Sequence, residues 1–146
     1  VLDGEHDPAY FVVRNRAGPH LGIVTRVSTG SVAETLDRLE SLIASRGLTL
    51  FAVIEHDVAA ARAGLSMRPA RLVVFGDPAS GTPLMVAAPL LALDLPLKIL
   101  VWQDESGRTL VSHGSVVELQ ERYGLTDEQV APLRGVALLA SAAAGA

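Results

Sequence analysis

The sequence predicts an α+β fold in which a mixed or antiparallel sheet packs against one long helix, with short extra helices and a C-terminal helix. Three observations indicate this class. Short runs of β-branched and aliphatic residues recur between turn residues, as expected for strands. One segment carries apolar residues at helical spacing. A turn signal joins the last two predicted strands directly, which argues against a doubly wound parallel sheet.

The first predicted strand covers residues 21–28, and the long helix follows it. Ser31 and Glu34 form the S-x-x-E pattern of a capping box, in which each side chain bonds a free amide at the helix start. Gly47 supplies the left-handed exit. The helix carries one apolar stripe, formed by Val32, Leu36, Leu39 and Ile43.

The next segments alternate strands with short helices. Residues 48–55 (LTLFAVIE) are almost wholly apolar and predict a buried strand. Asp57 can cap a short helix at 58–63, and residues 70–76 predict another strand. Thr82 followed by proline predicts a helix start, with threonine as the cap and proline in the first helical position.

The last segments form a hairpin and two helices. Residues 97–103 and 108–113 predict its strands, and Gly107 is the expected positive-φ residue of its turn. Ser115 begins a helix that ends near Tyr123.

Thr126 begins the last predicted helix. The predicted organisation is a partly ordered leader at 1–19, one α+β domain at 20–125 and a C-terminal helical extension at 126–146.

Composition excludes several function classes. The chain has 146 residues, a net charge of −4, no cysteine and a single lysine, Lys98. It lacks the basic stripe of a nucleic-acid binder, so no nucleic-acid partner is predicted. Without cysteine it has no thiol nucleophile, disulfide or cysteine metal site. No apolar run reaches the length of a membrane span, which predicts a soluble protein. A cytoplasmic location is expected, and an exported form would follow if a signal peptide had been removed before Val1.

Two long motifs resemble the bacterial family called domain of unknown function 302. They are residues 75–85 (FGDPASGTPLM) and 93–98 (LDLPLK), and the flanking segments agree over roughly residues 20–125. The resemblance implies a fold like that of the TATA-box-binding protein, of β-α-β4-α type, and a homodimer. It implies no particular reaction. The family motif usually has asparagine where this chain has Asp77, and histidine where it has Tyr123.

The loop from Gly76 to Thr82 is the first candidate site. Gly76 and Gly81 allow backbone amides to turn toward one point, and a helix starting at Thr82 would present free N–H groups to a carboxylate or phosphate. Asp77 opposes an anion there, and the structural alternative is a turn whose polar groups satisfy each other. Met85 and the leucines after it could line a pocket or a dimer contact.

Two further candidates involve ionisable side chains. The imidazole of His56, beside Glu55, could act as a general base or a metal ligand. Neighbours in a strand point to opposite sides, so a surface histidine is the structural alternative. Lys98 could clamp an anion, and the structural alternative is a lysine on an edge strand, which Pro96 favours.

Three functions remain open. The preferred one is a homodimeric module that binds a small anionic or apolar ligand or a partner, because the motifs of common nucleophile, nucleotide and metal sites are missing. The second is a small hydrolase or isomerase using His56 with Glu55 or Asp77. The third binds a metal or haem through His56 and Met85. No cofactor or metal is predicted. The proposed ligand-binding residues are Gly76, Asp77, Gly81, Thr82, Met85 and Lys98.

Overall fold

The computed structural model describes residues 22–145 and three two-residue strands before them. Those strands are β1 (Tyr10–Phe11), β2 (Arg14–Asn15) and β3 (Gly18–Pro19). The rest of the predicted leader at 1–19 lies outside the described residues. β2 pairs with β3, while β1 joins the main sheet.

The main sheet has six strands in the order β1-β4-β8-β7-β6-β5, and every neighbouring pair is antiparallel. This arrangement confirms the predicted α+β class. The five longer strands are β4 (Ile23–Val27), β5 (Thr49–Glu55), β6 (Ala70–Gly76), β7 (Leu97–Gln103) and β8 (Thr109–Gly114). The turn between β7 and β8 contains Gly107 at φ 82°, as predicted.

The long helix α1 (Val32–Ser45) begins with the predicted capping box. The N–H of Glu34 donates to Oγ of Ser31 at 3.1 Å, and the N–H of Ser31 donates to the Glu34 carboxylate at 3.3 Å. Three members of the predicted stripe are buried, namely Leu36, Leu39 and Ile43. They pack against one face of the sheet. The buried sheet residues in this cluster are Val73, Phe75, Ile99, Val101 and Val111.

The C-terminal segment is broken into three pieces rather than forming one helix. They are α5 (Asp127–Val130), a 3₁₀ turn at Ala131–Arg134 and α6 (Gly135–Ala143). Pro132 has no N–H to continue an α-helical ladder, which accounts for the break. Helix α6 lies beside α1, and its Val136, Leu139 and Ala140 belong to the main core. The predicted extension therefore packs in the same core as the rest.

Strand β5 is an edge strand and not the buried strand that its composition predicted. Among the described residues it pairs with β6 alone. Leu50, Phe51 and Ile54 are 42%, 50% and 42% exposed. A short apolar run is expected both at the centre and at an unpaired edge of a sheet, so the sequence pattern could not separate the two.

Helix α3 (Pro78–Ala87) begins five residues earlier than predicted, since its cap is Asp77 and not Thr82. Asp77 is the cap and Pro78 occupies the first turn. The pattern of a capping residue followed by proline therefore starts the helix at Asp77-Pro78 and not at Thr82-Pro83. Pro83 lies inside the helix, which gives up the bond that an N–H at position 83 would make. A 3₁₀ turn at Pro89–Leu93 follows.

Two short helices complete the fold. Helix α2 (His56–Arg62) starts directly after β5, and Asp57 does not cap it. Helix α4 (Val116–Tyr123) ends at Gly124 in the left-handed conformation. In the part of the chain that the structure describes, no helix has both the length and the hydropathy to cross a bilayer.

Candidate ligand-binding cavity

A cavity of about 280 Å³ lies where β6 ends and α3 begins. Phe75 and Leu139 are each 1% exposed and Leu133 is 4% exposed, so the cavity reaches into the core. Its walls are mostly apolar side chains, including Leu48, Phe51, Phe75, Met85, Leu133 and Leu139. Pockets of this size and lining hold small apolar ligands in other proteins.

Local structure explains why the space exists. Gly76 ends β6, and α3 places Gly81 and Met85 four residues apart on one helical face. A Cβ atom on Gly81 would lie 3.9 Å from Leu95 Cδ1, with no closer neighbour outside its own helix backbone. Glycine at positions 76 and 81 therefore leaves room that larger side chains would fill.

Three polar side chains also line the cavity, namely Arg46, Asp77 and Ser80. Asp77 is engaged at the start of α3. Its Oδ1 accepts the N–H of Ala79 at 3.2 Å, and its Oδ2 accepts the hydroxyl of Ser80 at 2.8 Å. Arg46 follows the last turn of α1, and no described carboxylate lies within ion-pair distance of it.

The backbone amides of this loop are bound within the loop itself, as the structural alternative expected. The N–H groups of Ser80 and Gly81 both donate to the carbonyl of Asp77, at 3.1 and 2.8 Å, and that of Ala79 is bound by the Asp77 side chain. The loop therefore satisfies its own polar groups. Thr82 lies within α3, is exposed and does not line the cavity.

Lys98 is not on an edge strand. It lies on β7, which pairs with β6 on one side and β8 on the other. Pro96 precedes the strand and so removes no ladder hydrogen bond, which is why it is compatible with a central position. The exposed amine donates to the carbonyl of Pro96 at 3.0 Å and does not line the cavity.

Glu55 and His56 lie at the other end of the β5–β6 pair. Thr49 is opposite Gly76 and Glu55 is opposite Arg71, so about 20 Å of strand separates the two ends. His56 therefore cannot act with Asp77, because proton transfer requires hydrogen-bond contact or one bridging water. Glu55 accepts a hydrogen bond from Arg71 at 2.8 Å, and His56 is exposed beside it.

The metal or haem hypothesis finds no support in this geometry. Met85 lines the cavity, whereas His56 lies at the opposite end of the strand pair. Residues 22–145 also contain no group of three or more histidine, aspartate or glutamate side chains placed to hold a metal ion.

A polar cluster at the DLPLK segment ties helix α4 to the start of β7. The Asp94 carboxylate accepts the hydroxyl of Tyr123 and, at 3.0 Å, a guanidinium N–H of Arg122. The bond from Tyr123 is the main cause of the lowered pKa of Asp94, and the same bond raises the pKa of Tyr123. These groups bond to one another, so we assign the cluster a structural role.

Several cavity residues were not candidates from the sequence. Arg46 stands next to the helix-ending Gly47, and Leu133 and Leu139 lie in the segment predicted as an extension. Phe51 was expected to be buried in a strand. Only the packing of α6 and β5 around the end of β6 brings these residues together.

The described residues form a small α+β domain with an apolar cavity where β6 ends. The chain belongs to the family described as "Domain of unknown function DUF302", whose model matches residues 24–137. It is also similar to the crystal structure of an uncharacterized conserved protein DUF302 from Bacillus stearothermophilus. The TM-score is 0.71 and the identity 17%, over 86% of this chain and 97% of that chain. At this identity the likeness supports the fold alone.

Curated relatives carry a different description. The "Fluoride-specific ion channel FluC 1" of Brucella suis biovar 1 (strain 1330) is 38% identical over 104 residues, which are 71% of this chain and 41% of that protein. The protein of the same name from Brucella abortus biovar 1 (strain 9-941) is 38% identical over 104 residues, 38% of its length. The match thus spans about two fifths of these relatives.

Proposed function

We propose that the protein is a homodimeric module that binds a small apolar ligand in the cavity at the end of β6. The apolar cavity of about 280 Å³ is the observation that carries this proposal. It is larger than the ~150 Å³ apolar cavity that binds benzene in an engineered protein core. Burying an apolar ligand there removes its surface from water, which is the dominant source of affinity at such sites.

A series of linear alcohols tests the cavity. We expect affinity measured by calorimetry to rise about fourfold per added methylene from butanol to hexanol, because each buried methylene contributes ~0.8 kcal/mol. The affinity should stop rising when the chain fills the cavity. Affinity that does not depend on chain length would contradict the proposal.

A variant that fills the cavity, compared with a matched control, tests the same proposal. Gly81→Leu places a side chain toward Leu95 and should abolish alcohol binding, whereas Gly114→Leu should not. Gly114 lies at the end of β8 and does not line the cavity. A Cβ atom there would have no neighbour within 4 Å among the described residues. Both glycines have φ outside the left-handed region, so neither substitution strains the backbone.

The homodimer is proposed to form through the outer edge of β5, which no other described strand covers. This edge contains no proline or lysine, the residues that commonly protect unpaired strands, and it exposes Leu50, Phe51 and Ile54. A second copy offers the same apolar strand, so the two could pair around a twofold axis. The family resemblance supports the same assembly.

Light scattering of the eluting protein tests the dimer. Ile54→Lys should shift the protein toward the monomer, because a charge on the edge opposes pairing. Leu138→Lys is the control, since Leu138 is 67% exposed on α6 and outside the edge. A wild-type monomer at micromolar concentration would refute the homodimer and leave the cavity proposal in place.

A second candidate function comes from the curated relatives. Because 104 residues of proteins named fluoride-specific ion channels match this chain at 38% identity, we propose that it can act as a domain associated with such a channel. The purified chain should then co-elute in detergent with the Brucella suis relative from which the matched segment has been deleted. Separate elution would contradict this second role.

A further inference from the structure

We infer that the cavity selects monocarboxylates, with the apolar chain in the cavity and the carboxylate bound by Arg46. This inference rests on the proposed ligand-binding function and specifies the ligand class. It goes beyond apolar binding because it requires a charged group at the cavity that no protein group already occupies.

Arg46 is the charged group available to a ligand. It lines the cavity and is exposed, and among the described residues no carboxylate pairs with it. A guanidinium group presents a planar set of N–H donors that matches the two oxygens of a carboxylate. Its place after the last turn of α1 also suits a cation, because the carbonyl end of a helix carries partial negative charge.

Asp77, the other charged side chain of the lining, is already engaged. Both its oxygens accept hydrogen bonds within the first turn of α3, from Ala79 and Ser80. It therefore offers less to an amine than Arg46 offers to a carboxylate. Its charge still opposes an anion, so it should weaken carboxylate binding without preventing it.

The lining beyond these groups is apolar and leads inward to Phe75 and Leu139, each 1% exposed. A ligand with one charged end and one apolar end satisfies both parts of the site. A doubly charged ligand would bury an unpaired charge, which is costly. The expected class is thus an unbranched or aromatic monocarboxylate of roughly six to ten non-hydrogen atoms, given the cavity volumes that hold such molecules.

The test compares hexanoate, hexanol and hexylamine on the full chain by calorimetry at pH 7. Hexanoate should bind tightest. Arg46→Gln should weaken hexanoate binding about fivefold, the fold-change of an exposed ion pair, and should weaken hexanol binding much less, because the hydroxyl of hexanol carries no charge. Asp77→Asn should tighten hexanoate, because the amide oxygen can still accept from Ala79 while the opposing charge is gone. Arg62→Gln is the control, since Arg62 is exposed on α2 and does not line the cavity.

The outcomes separate this inference from the function on which it rests. Hexanol binding as tightly as hexanoate, with no effect of Arg46→Gln, would overturn the carboxylate inference and leave apolar ligand binding intact. Hexylamine binding tightest would overturn it too and assign selection to Asp77. If none of the three binds, the proposed function fails and the inference fails with it. Raising the salt concentration should reduce the preference for hexanoate, as screening predicts.

Discussion

At the scale of single residues, Asp57 and Arg71 form a bidentate ion pair. Nε of Arg71 donates to Oδ1 of Asp57 at 2.7 Å, and Nη2 donates to Oδ2 at 3.0 Å. This bidentate bond holds the pKa of Asp57 at about 2, against an ordinary 3.8. Since Asp57 lies on α2 and Arg71 on β6, the pair fixes the short helix to the sheet.

Asp57→Asn should lower the free energy of unfolding by about 2 kcal/mol at pH 7, because the folded state holds this carboxylate ionised more strongly than the unfolded chain does. A lowered pKa gives stability that is full above about pH 4 and is lost as pH falls toward 2. The difference between wild type and variant in urea unfolding should therefore shrink by about half at pH 3. Asp37→Asn, on an exposed position of α1, is the control. A difference independent of pH would contradict the assigned cause.

His113 is a second residue whose protonation should affect stability. It is 6% exposed, and its Nδ1 donates to the carbonyl of Gly114 at 2.9 Å. Its buried Nε2 has no hydrogen-bond partner among the residues that the structure describes. Burial is the main cause of its lowered pKa, and the nearby charge of Arg26 lowers it further. The folded protein therefore holds this imidazole in its neutral form.

Because the unfolded chain takes up this proton more readily, stability should fall as pH drops from 7 to 5. His113→Leu should remove much of that dependence, and His56→Gln, at an exposed histidine, should retain it. Thermal melting between pH 7 and 5 measures both variants. An unchanged pH profile in His113→Leu would show that other groups are responsible.

At the scale of elements, the sequence predicted the limits of two strands correctly and misplaced the start of one helix. The limits of β6 and β7 at 70–76 and 97–103 match the structure, because turn residues bound both apolar runs. Helix α3 was misplaced because two pairs of a capping residue followed by proline lie within seven residues, at 77–78 and 82–83. In the structure the first pair begins the helix, where Asp77 supplies the capping oxygen.

The cavity residues were only partly predictable from the sequence, because some of them meet only through tertiary packing. Gly76, Asp77, Gly81 and Met85 line the cavity and were candidates, since they lie in one recognisable loop and helix. Arg46, Leu133 and Leu139 join it through tertiary packing, which no local pattern encodes. The same limit explains β5, because its position in the sheet depends on strand order and not on its own composition.

Helix α3 supports a prediction about backbone conformation. Gly81 lies inside the helix with φ outside the left-handed region, and a Cβ there meets only Leu95 at 3.9 Å. Gly81→Ala should raise the free energy of unfolding by about 0.5–1 kcal/mol, the helical advantage of alanine over glycine. Gly47→Ala should lower it by about 1 kcal/mol, since Gly47 has φ 67°. Urea unfolding of both variants measures these changes. A change of the same sign in the free energy of unfolding of both variants would contradict the prediction.

At the scale of the whole molecule, two apolar clusters meet at the cavity. One lies between the sheet and helices α1 and α6, and the other contains Leu84, Leu91, Leu125, Val130 and Leu133. Leu97 packs against both and also lines the cavity. The proposed ligand site is thus the place where two parts of the core join, and its shape depends on α6 being in position.

Helix α6 should therefore be required for the fold and not only appended to it. Leu139→Ala should lower the free energy of unfolding by about 2–5 kcal/mol, because it removes methylene groups from a side chain that is 1% exposed. Leu138→Ala is the matched control on the same helix. Leu138 is 67% exposed, so its loss should stay within about 0.5 kcal/mol. Similar losses in both variants would contradict this prediction, because they would mean that α6 does not pack as part of the core. Helix α6 would then not form a wall of the cavity either.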